Sequence, residues 1–363
     1  MSLISEYKGK NVLVTGHTGF KGSWLSLWLS KLGANVSGYS LLPESYPDNY
    51  SLSSVSDLLS DETIADIREK QSLNKAIKEA EPDFIFHLAA QPLVRESYKC
   101  PVETFETNVI GSLNVLEGLR NLEQPCSVIM VTSDKCYDNR SQVWGYREID
   151  PMGGHDPYSA SKAAAEIAIS SYRDSFYPPS EVDKHGIKIA SVRAGNVIGG
   201  GDWAKDRIVP DAVRALSKGE AVQVRNPGAV RPWQHVLEPL SGYLLLAAKM
   251  NKEYNPALCS AWNFGPLNRD ECPVSDLMDM FCEEWGDGSR WEYKSLDNEP
   301  GEASVLRLSI DKAVHELKWQ PQWDLGETVR RTIGYYKKYY KNNPGSMAEV
   351  CNADIDDYMG IFE

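Results

Sequence analysis

The sequence lacks the long apolar run that a membrane-spanning helix needs. No stretch approaches the roughly 20 apolar residues that cross a bilayer, and the first ten residues, MSLISEYKGK, lack the apolar core of a secretion signal. Positive charge is also scarce, because 38 Lys and Arg residues stand against 51 Asp and Glu residues, a formal net charge of −13. General affinity for nucleic acid or anionic membrane is therefore not expected. We expect a cytoplasmic protein that meets any bound anion with a few local cations.

Cysteine is sparse and widely spaced. The seven cysteines are odd in number and contain no Cys-x-x-Cys pair, so the sequence predicts neither a disulfide framework nor a metal site. Hydrophobic residues make up 42% of the chain and aromatic residues 10%, which excludes a disordered chain. At about 150 residues per lobe, the 363 residues suffice for about two lobes.

Short apolar runs alternate with helical stripes in the N-terminal half. The runs at 11–15, 35–39, 83–90, 127–132 and 188–193, with a further strand ending just before residue 65, read as strands. Their alternation with helices predicts an α/β fold with a doubly wound parallel sheet of the Rossmann type in a cofactor-binding domain, residues 1–199. From residue 200, Gly, Pro and Trp become frequent. We expect residues 200–345 to form mainly a smaller mixed α/β substrate lobe, some segments of which return to the large domain, and residues 346–363 to form a tail.

A glycine-rich turn follows the first predicted strand. Gly16, Gly19 and Gly22 have the spacing Gly-x-x-Gly-x-x-Gly, and an apolar helical stripe begins directly after them. In such a turn, the first glycine permits the tight bend, the second allows the backbone to approach a pyrophosphate, and the third permits close helix packing. The sequence therefore predicts a dinucleotide site.

The end of the second predicted strand lacks the acidic residue that usually holds the adenosine ribose. Gly38-Tyr39-Ser40 stands there, and no Arg or Lys occurs from residue 35 to residue 50. A ribose 2′-phosphate would find no partner near this strand, which favours NAD over NADP, although Lys21 in the glycine turn weakens the inference. Asp66 and Ile67 suit the adenine edge; a helix-capping role is the alternative for Asp66.

Two further groups carry candidate chemistry. Tyr158 and Lys162 lie one turn apart on a predicted helix, and an ammonium near a phenol favours the phenolate, which could act as a base. Residues 132–135, Thr-Ser-Asp-Lys, end a predicted buried strand, where active sites of such sheets lie. A solvated turn is the alternative for Asp134 and Lys135.

Taken together, these motifs resemble the extended short-chain dehydrogenase/reductase family over roughly residues 9–340. The matching segments are the glycine turn with Thr15, the run His87-Leu88-Ala89-Ala90-Gln91, Asn108 with Gly111, the Tyr158/Lys162 pair, and Arg193-Ala194-Gly195-Asn196-Val197. Within the family, residues 16–24 and 132–137 are most similar to the dehydratases that act on CDP-glucose.

The resemblance implies tightly held NAD. Its binding residues would be Thr15, Gly16, Thr18, Gly19, Phe20, Lys21, Gly22, Ser40, Asp66, Ile67, Leu88, Ala89, Ala90, Gln91, Asn108, Ser133, Tyr158, Lys162, Arg193 and Asn196.

The resemblance also implies conversion of CDP-glucose to CDP-4-keto-6-deoxyglucose and water, with hydride passing from carbon 4 to NAD and then to carbon 6. Tyr158, tuned by Lys162 and hydrogen-bonded through Thr132, would take the proton of the 4-hydroxyl. Asp134 would donate a proton to the leaving 6-hydroxyl. Lys135 stands where related enzymes have a glutamate base, and an ordinary lysine is protonated at pH 7. It is either a neutral base at carbon 5 or an electrostatic stabiliser of the enolate.

The substrate diphosphate needs cations. The resemblance assigns this role to Arg231 and Arg307, with Arg207 as a further candidate and Asn196 facing the sugar or first phosphate; surface salt bridges are the alternative for each arginine. A nucleotide-sugar 4-epimerase, a dehydratase of another nucleotide hexose, a uronic-acid decarboxylase and a non-catalytic NAD-sensing or RNA-binding protein remain alternatives. The resemblance also predicts a homodimer or a dimer of dimers, paired through helices at 108–119 and 158–170, in deoxysugar synthesis for cell-surface polysaccharide.

Overall fold

In the part of the chain that the structure describes, helices surround one large sheet and three small ones. The structure is a computed structural model that describes residues 3–253, 255–294, 305–341 and 347–361. The strands are β1 (Asn11–Thr15), β2 (Asn35–Ser40), β3 (Asp61–Ile64), β4 (Phe84–His87), β5 (Cys126–Val131), β6 (Ile187–Ala194), β7 (Val197–Ile198), β8 (Val222–Val224), β9 (Val230–Arg231), β10 (Gln234–His235), β11 (Ala261–Phe264), β12 (Cys272–Pro273) and β13 (Trp291–Tyr293).

The α-helices are α1 (Leu3–Tyr7), α2 (Phe20–Lys31), α3 (Asn49–Leu52), α4 (Lys70–Ala80), α5 (Val94–Lys99), α6 (Pro101–Phe105), α7 (Gly111–Gly118), α8 (Pro157–Phe176), α9 (Val182–His185), α10 (Ile208–Leu216), α11 (Leu237–Lys252), α12 (Val274–Trp285), α13 (Leu325–Lys341) and α14 (Ala348–Gly360). Short 3₁₀ turns include Asp134–Cys136, and π-helical turns lie at Glu106–Ile110 and Ala313–Leu317. In the part of the chain that the structure describes, no helix combines the length and the apolar character that a bilayer crossing demands.

The large sheet is parallel throughout, with the strand order β11-β6-β5-β4-β1-β2-β3. This order confirms the predicted doubly wound fold, because the chain starts in the middle of the sheet and winds outward in both directions. The predicted strands at 11–15, 35–39 and 188–193 lie at the observed positions to within one residue at each end, whereas the run at 83–90 forms a strand only over Phe84–His87. The sequence did not reveal β11, which comes from the predicted substrate lobe and pairs with β6.

Both faces of the large sheet are covered by helices. On one face, α2 and α11 bury Trp24, Trp28 and Leu240 against the sheet, and on the other α4, α7 and α8 bury residues such as Leu73 and Ile169. Burial on both faces explains why β1, β4 and β5 are continuous apolar runs rather than alternating ones. Because α11 packs against β5 and β6, residues 237–264 belong spatially to the large domain.

The C-terminal segment is a helix docked on the large domain. Trp28 of α2 and Tyr358 of α14 meet edge to face, with ring centroids 5.7 Å apart. Arg331 of α13 bridges to Asp354 at 2.8 Å and to Asp357 at 2.6 Å. The last helix thereby packs directly behind the helix that follows the glycine turn.

A buried carboxyl, Glu238, anchors this helix. It accepts hydrogen bonds from the backbone N–H of Trp323 at 2.7 Å, the N–H of Gln322 at 3.0 Å and the Tyr358 hydroxyl at 2.5 Å. Burial is the largest influence on its pKa and raises it to about 7. The folded state therefore binds the proton of Glu238 more tightly than the unfolded state does.

We expect the free energy of unfolding to fall as pH rises from the ordinary glutamate pKa to the raised one. Relative to a Glu238→Gln variant, the wild type should lose about 2 kcal/mol of stability between about pH 5 and pH 8. Urea unfolding of both proteins across this range measures the difference. Parallel stability curves for the two proteins would contradict the assignment.

Candidate active site

The glycine turn joins β1 to α2 in a geometry that needs glycine. Gly16 has φ +77°, and a Cβ atom there would lie 2.6 Å from the Ala89 nitrogen. A Cβ atom on Gly22 would lie 2.0 Å from the Gly16 carbonyl oxygen. Among the described residues no side chain caps the first turn of α2, which begins after Gly19. The N–H groups of this first turn lack an intrahelical acceptor, an arrangement that suits an anion.

The neighbouring predicted cofactor residues hold this turn in place. The Thr18 hydroxyl lies 2.9 Å from that of Ser40 and donates to the Leu41 carbonyl at 2.7 Å, which ties the turn to the end of β2. The Thr15 hydroxyl bonds to His87 Nδ1 at 2.7 Å. Phe20 packs toward Gly199 and the core.

At the carboxyl end of β4, Leu88, Ala89, Ala90 and Gln91 form a half-buried edge beside the glycine turn. Asn108, in the π-helical turn, accepts from the Gln91 N–H at 2.9 Å and donates to the Gln91 carbonyl at 3.1 Å.

Asn108 also donates to Ser161 Oγ at 2.8 Å, and so links the cofactor edge to helix α8. The amide side chain of Gln91 bonds to Leu93 and Thr104 and organises the following turn.

Of the two residues predicted at the adenine edge, Asp66 forms an ion pair with Arg68 at 2.6 Å. Ile67 is 5% exposed, and its side chain packs in the core, where a Cβ atom on Gly111 would lie 2.6 Å from it. The Ile67 side chain is therefore packed in the core and is not exposed for a contact with a nucleotide.

Tyr158 lies in the first turn of α8. Its backbone N–H donates to Ser97 Oγ at 3.1 Å, and its side chain is buried. Burial raises the pKa of Tyr158 to about 12; a hydrogen bond from Ser133 and the charge of Arg207 lower it, and the charge of Asp134 raises it. One turn on, burial lowers the pKa of Lys162 to about 8, while Glu166 opposes this shift. The charge of Asp156, the N-cap residue of α8, also raises the pKa of Tyr158.

The structure differs from the sequence expectation at Thr132. Its hydroxyl donates to the Glu166 carboxylate and to the Val192 carbonyl, and the latter contact is 3.2 Å. The hydroxyl that bonds to Tyr158 belongs to Ser133. The reason is that Thr132 directly follows β5 and still points between the strands, whereas Ser133 is the first residue to leave the sheet.

Arg193 is also a correction. It was expected to contact the cofactor, but it is 3% exposed and pairs with Glu166 at 2.8 Å. It also donates to the Tyr137 hydroxyl at 2.8 Å and to the Glu148 carbonyl at 3.1 Å. A guanidinium enclosed by these partners serves to neutralise the buried Glu166 and does not face the cofactor.

Asp134 and Lys135 form a single 3₁₀ turn beyond β5. The Ser133 hydroxyl donates to Asp134 Oδ1 at 3.0 Å, whereas Oδ2 is buried and has no hydrogen-bond partner among the described residues. Burial raises the pKa of Asp134, opposed by the charges of Lys135, Arg231 and Lys21. Lys135 Nζ lies 5.9 Å from the centroid of the Tyr158 ring. The turn therefore brings a buried carboxyl with a raised pKa and a lysine side chain to the region of the phenol.

Positive side chains concentrate at this site in an otherwise acidic protein. Lys21 lies in the glycine turn, and burial together with the charges of Arg207 and Lys162 lowers its pKa to about 8, opposed by the charge of Asp134. Arg231, 6% exposed on β9, acts electrostatically on Asp134.

The other two predicted substrate residues are less enclosed. Arg307 is 35% exposed and bonds to Glu271 at 2.8 Å and to the Val143 carbonyl at 2.7 Å. Asn196 follows β6, and its backbone carbonyl accepts from the Gln234 N–H at 3.1 Å. Asn196 lies beyond the carboxyl end of β6, where such sheets bind ligands, whereas Arg307 lies between the isolated bridges at Val305 and Leu308.

Comparison with known proteins identifies the family. Residues 13–332 match the model of the family described as GDP-mannose 4,6 dehydratase. The chain belongs to this family. A CDP-glucose 4,6-dehydratase of Salmonella typhimurium is 47% identical over 354 residues, covering 97% of each chain.

Two solved structures show the same fold. The UDP-glucose 4-epimerase of Thermus thermophilus in complex with NAD has a TM-score of 0.75 at 24% identity and covers 90% of this chain and 99% of its own. The dTDP-glucose 4,6-dehydratase of Bacillus anthracis in complex with NAD has a TM-score of 0.74 at 21% identity, covering 91% and 97%. At these identities the likeness establishes the fold alone.

In this member of the GDP-mannose 4,6-dehydratase family, the sequence missed three features of the site. These are the contact between Ser133 and Tyr158, the support of Tyr158 by Ser97, and the buried Glu166 that accepts from Thr132. Only Glu166 left a signal, because it lies one turn beyond Lys162 on a helix face that is otherwise small and apolar.

Proposed function

We propose that this chain is a CDP-glucose 4,6-dehydratase, which converts CDP-glucose to CDP-4-keto-6-deoxyglucose and water. The observation that carries the proposal is the buried Asp134 carboxyl, placed beside Tyr158 through the Ser133 hydroxyl. Elimination of water needs a proton donor next to the oxidising centre, whereas a 4-epimerase does not. The Salmonella relative supports the choice of CDP-glucose.

The residues around the glycine turn fit NAD. The uncapped N-terminus of α2 suits the pyrophosphate. Gly16 and Gly22 pack so closely that only backbone atoms of the turn would contact the pyrophosphate at these two positions. When bound, the cofactor would supply a hydride acceptor for carbon 4 in its oxidised form, NAD, and a hydride donor for carbon 6 in its reduced form, NADH.

We assign the proton-handling steps to three side chains. Tyr158 takes the proton of the 4-hydroxyl, assisted by the Ser133 hydroxyl. The ketone at carbon 4 acidifies the hydrogen on carbon 5. Lys135 either removes this hydrogen as a proton or stabilises the enolate that its removal leaves. Asp134, whose pKa is raised by burial, donates its proton to the departing 6-hydroxyl.

The substrate diphosphate would lie among the arginines of the second lobe. Arg231 is close enough to act on Asp134, so we place it near the sugar and first phosphate together with Asn196. Arg307 is more exposed and is assigned to the outer part of the nucleotide. Arg207 acts on Tyr158 and is assigned to the sugar end.

Mass spectrometry of the products tests the function. Purified protein is incubated with CDP-, dTDP-, UDP- and GDP-glucose that carry deuterium at carbon 4. We expect loss of one water from CDP-glucose alone, with the deuterium recovered at carbon 6. A galactose isomer of unchanged mass would establish an epimerase and remove the role of Asp134, and water loss from another nucleotide sugar would overturn the choice of base.

We further propose a cytoplasmic homodimer. The seven cysteines are all free thiols, which fits a reducing compartment. Large apolar side chains are exposed on neighbouring helices: Val102 (70%), Phe105 (37%) and Ile110 (48%) on α6 and the π-helical turn, and Ile167 (62%) on α8. Solvent-facing apolar surface on two packed helices is typical of a subunit interface.

An Ile167→Glu variant is expected to shift the protein toward monomer, because it would bury a carboxylate at the interface. Sedimentation velocity measures the change. Ile149→Glu is the matched control, since Ile149 is 82% exposed on a loop outside these helices. Equal behaviour of both variants and the wild type would refute this interface.

A further inference from the structure

Arg207 is tied to Tyr158 by a short helix that contacts both segments. Ser97 of α5 accepts from the Tyr158 N–H at 3.1 Å, and Arg95, two residues earlier, pairs with Asp206 at 3.2 Å. Asp206 directly precedes Arg207, which is the N-cap residue of α10. These contacts tie the segment before Arg207 to the segment that carries Tyr158, but they do not restrain the long side chain of Arg207.

Asp202 restrains that side chain. The Asp202 side chain is 6% exposed, and its Oδ2 accepts from Arg207 Nη1 at 3.0 Å. Its Oδ1 accepts from the Ala204 N–H at 3.2 Å, which fixes the carboxylate relative to its own backbone. Exposed ion pairs gain little because two mobile side chains must be ordered, but here the carboxylate is already immobile.

The backbone of Asp202 is fixed in turn by α13. The buried Tyr336 hydroxyl donates to the Asp202 carbonyl at 2.5 Å. Just before it, a Cβ atom on Gly200 would lie 2.1 Å from the Tyr335 ring, and Gly201 has φ +85°. The segment before Asp202 is thus packed tightly against α13, which restricts its backbone to one conformation.

We propose that Asp202 is a positioning residue that holds the Arg207 guanidinium beside Tyr158, so that its charge favours the phenolate. The effect of Asp202 on the phenol does not depend on the proposed function; only the catalytic consequence of that effect rests on it. The electrostatic link runs both ways, because the charge of Arg207 lowers the pKa of Tyr158 and the phenol contributes to the raised pKa of Arg207. Asp202 itself touches neither the phenol nor, by the proposal, the substrate.

The test follows the ionisation of the phenol directly. A difluorotyrosine is introduced at position 158, and its ¹⁹F shift is titrated in the full chain, since fluorination brings the ionisation into the pH range of the folded protein. Arg207→Met should raise the midpoint by about 0.5 to 1 pH unit, because a nearby positive charge is lost. Asp202→Asn should raise it by about half as much, because the guanidinium is released. The double variant should match Arg207→Met alone.

A matched control separates positioning from loss of charge. Asp211 lies on the helix that follows Arg207 and pairs with Arg214 at 2.5 Å, so Asp211→Asn removes the same charge without releasing Arg207. It should leave the midpoint unchanged. The proposal fails if Asp202→Asn leaves the midpoint unchanged. It also fails if Asp202→Asn lowers the midpoint, which is the direct effect of losing a negative charge, or if Asp202→Asn still shifts the midpoint in an Arg207→Met background. Should Asp202→Asn not fold, Tyr336→Phe loosens the same segment and should raise the midpoint in the same direction.

The pH dependence of kcat/KM provides the second readout, with whichever nucleotide sugar the product panel identifies. Its acidic limb should move with the ¹⁹F midpoint in each variant, whereas a purely structural role would lower the amplitude and leave the limb in place. The ¹⁹F titration needs no substrate, so a failure of the positioning role is distinguishable from a failure of the proposed function.

Discussion

A Tyr158→Phe variant is expected to lose about 10³-fold in kcat, because the substitution removes the only group assigned to take the proton of the 4-hydroxyl. The ring itself fills a buried site, so the variant should fold and should retain the affinity of the wild type for NAD. Turnover of CDP-glucose measured with cofactor in excess, together with a cofactor-binding isotherm, checks both statements. Near-normal turnover would transfer the base role to another group.

The two hydroxyls before Asp134 should separate in the same assay. Ser133→Ala removes the bond to Tyr158 and should lower kcat by about 10- to 100-fold with little change in stability. Thr132→Ala removes a buried donor to Glu166 and should instead lower the free energy of unfolding by about 1–3 kcal/mol. The reverse pattern would restore Thr132 to the catalytic role that the sequence suggested.

The sequence predicted the sheet well because its strands are buried on both faces. Continuous apolar runs such as Phe84–His87 are recognisable without knowledge of their neighbours. Strand β11 was missed because its four residues, Ala-Trp-Asn-Phe, carry a buried Asn263. That amide bonds to Tyr137 at 2.7 Å and to the Tyr146 carbonyl at 2.8 Å, contacts made by distant parts of the chain.

In the candidate site, too, the features set by local sequence were predicted and those set by contacts between distant residues were not. The glycine turn and the Tyr158/Lys162 pair are local patterns, so spacing along one turn or one helix reveals them. The orientation of a side chain at the edge of a strand is not local. Thr132 and Ser133 differ by one position in register, and Arg193 faces inward because Glu166 on another element needs a counterion.

The position of Lys21 also depends on tertiary structure. From the sequence it belongs to the phosphate loop, yet its charge also interacts with the charges of Asp134, Arg207 and Lys162. With Lys135 and Arg231 it gives an acidic protein a cationic centre, which favours binding of a nucleotide diphosphate and the enolate that forms during elimination.

Substitution of Lys135 should separate elimination from oxidation at carbon 4. Lys135→Ala is expected to leave slow oxidation intact but to abolish exchange of the carbon-5 hydrogen with solvent, and dehydration should fall by about 10³-fold. Asp134→Asn should block dehydration to a similar degree while exchange at carbon 5 continues, because only departure of the 6-hydroxyl then lacks its acid. Mass spectrometry of CDP-sugars recovered from deuterated water measures exchange and water loss in one sample.

A Lys135→Arg variant decides between the two roles left open for Lys135. A guanidinium keeps the positive charge but does not lose its proton in proteins. If Lys135 is the base at carbon 5, Lys135→Arg should be as inactive in exchange as Lys135→Ala. If it stabilises the enolate by its charge, Lys135→Arg should retain much of the exchange, and the proton must go elsewhere. Full exchange in Lys135→Ala would exclude both roles, because neither a base nor a charge would then be needed at this position.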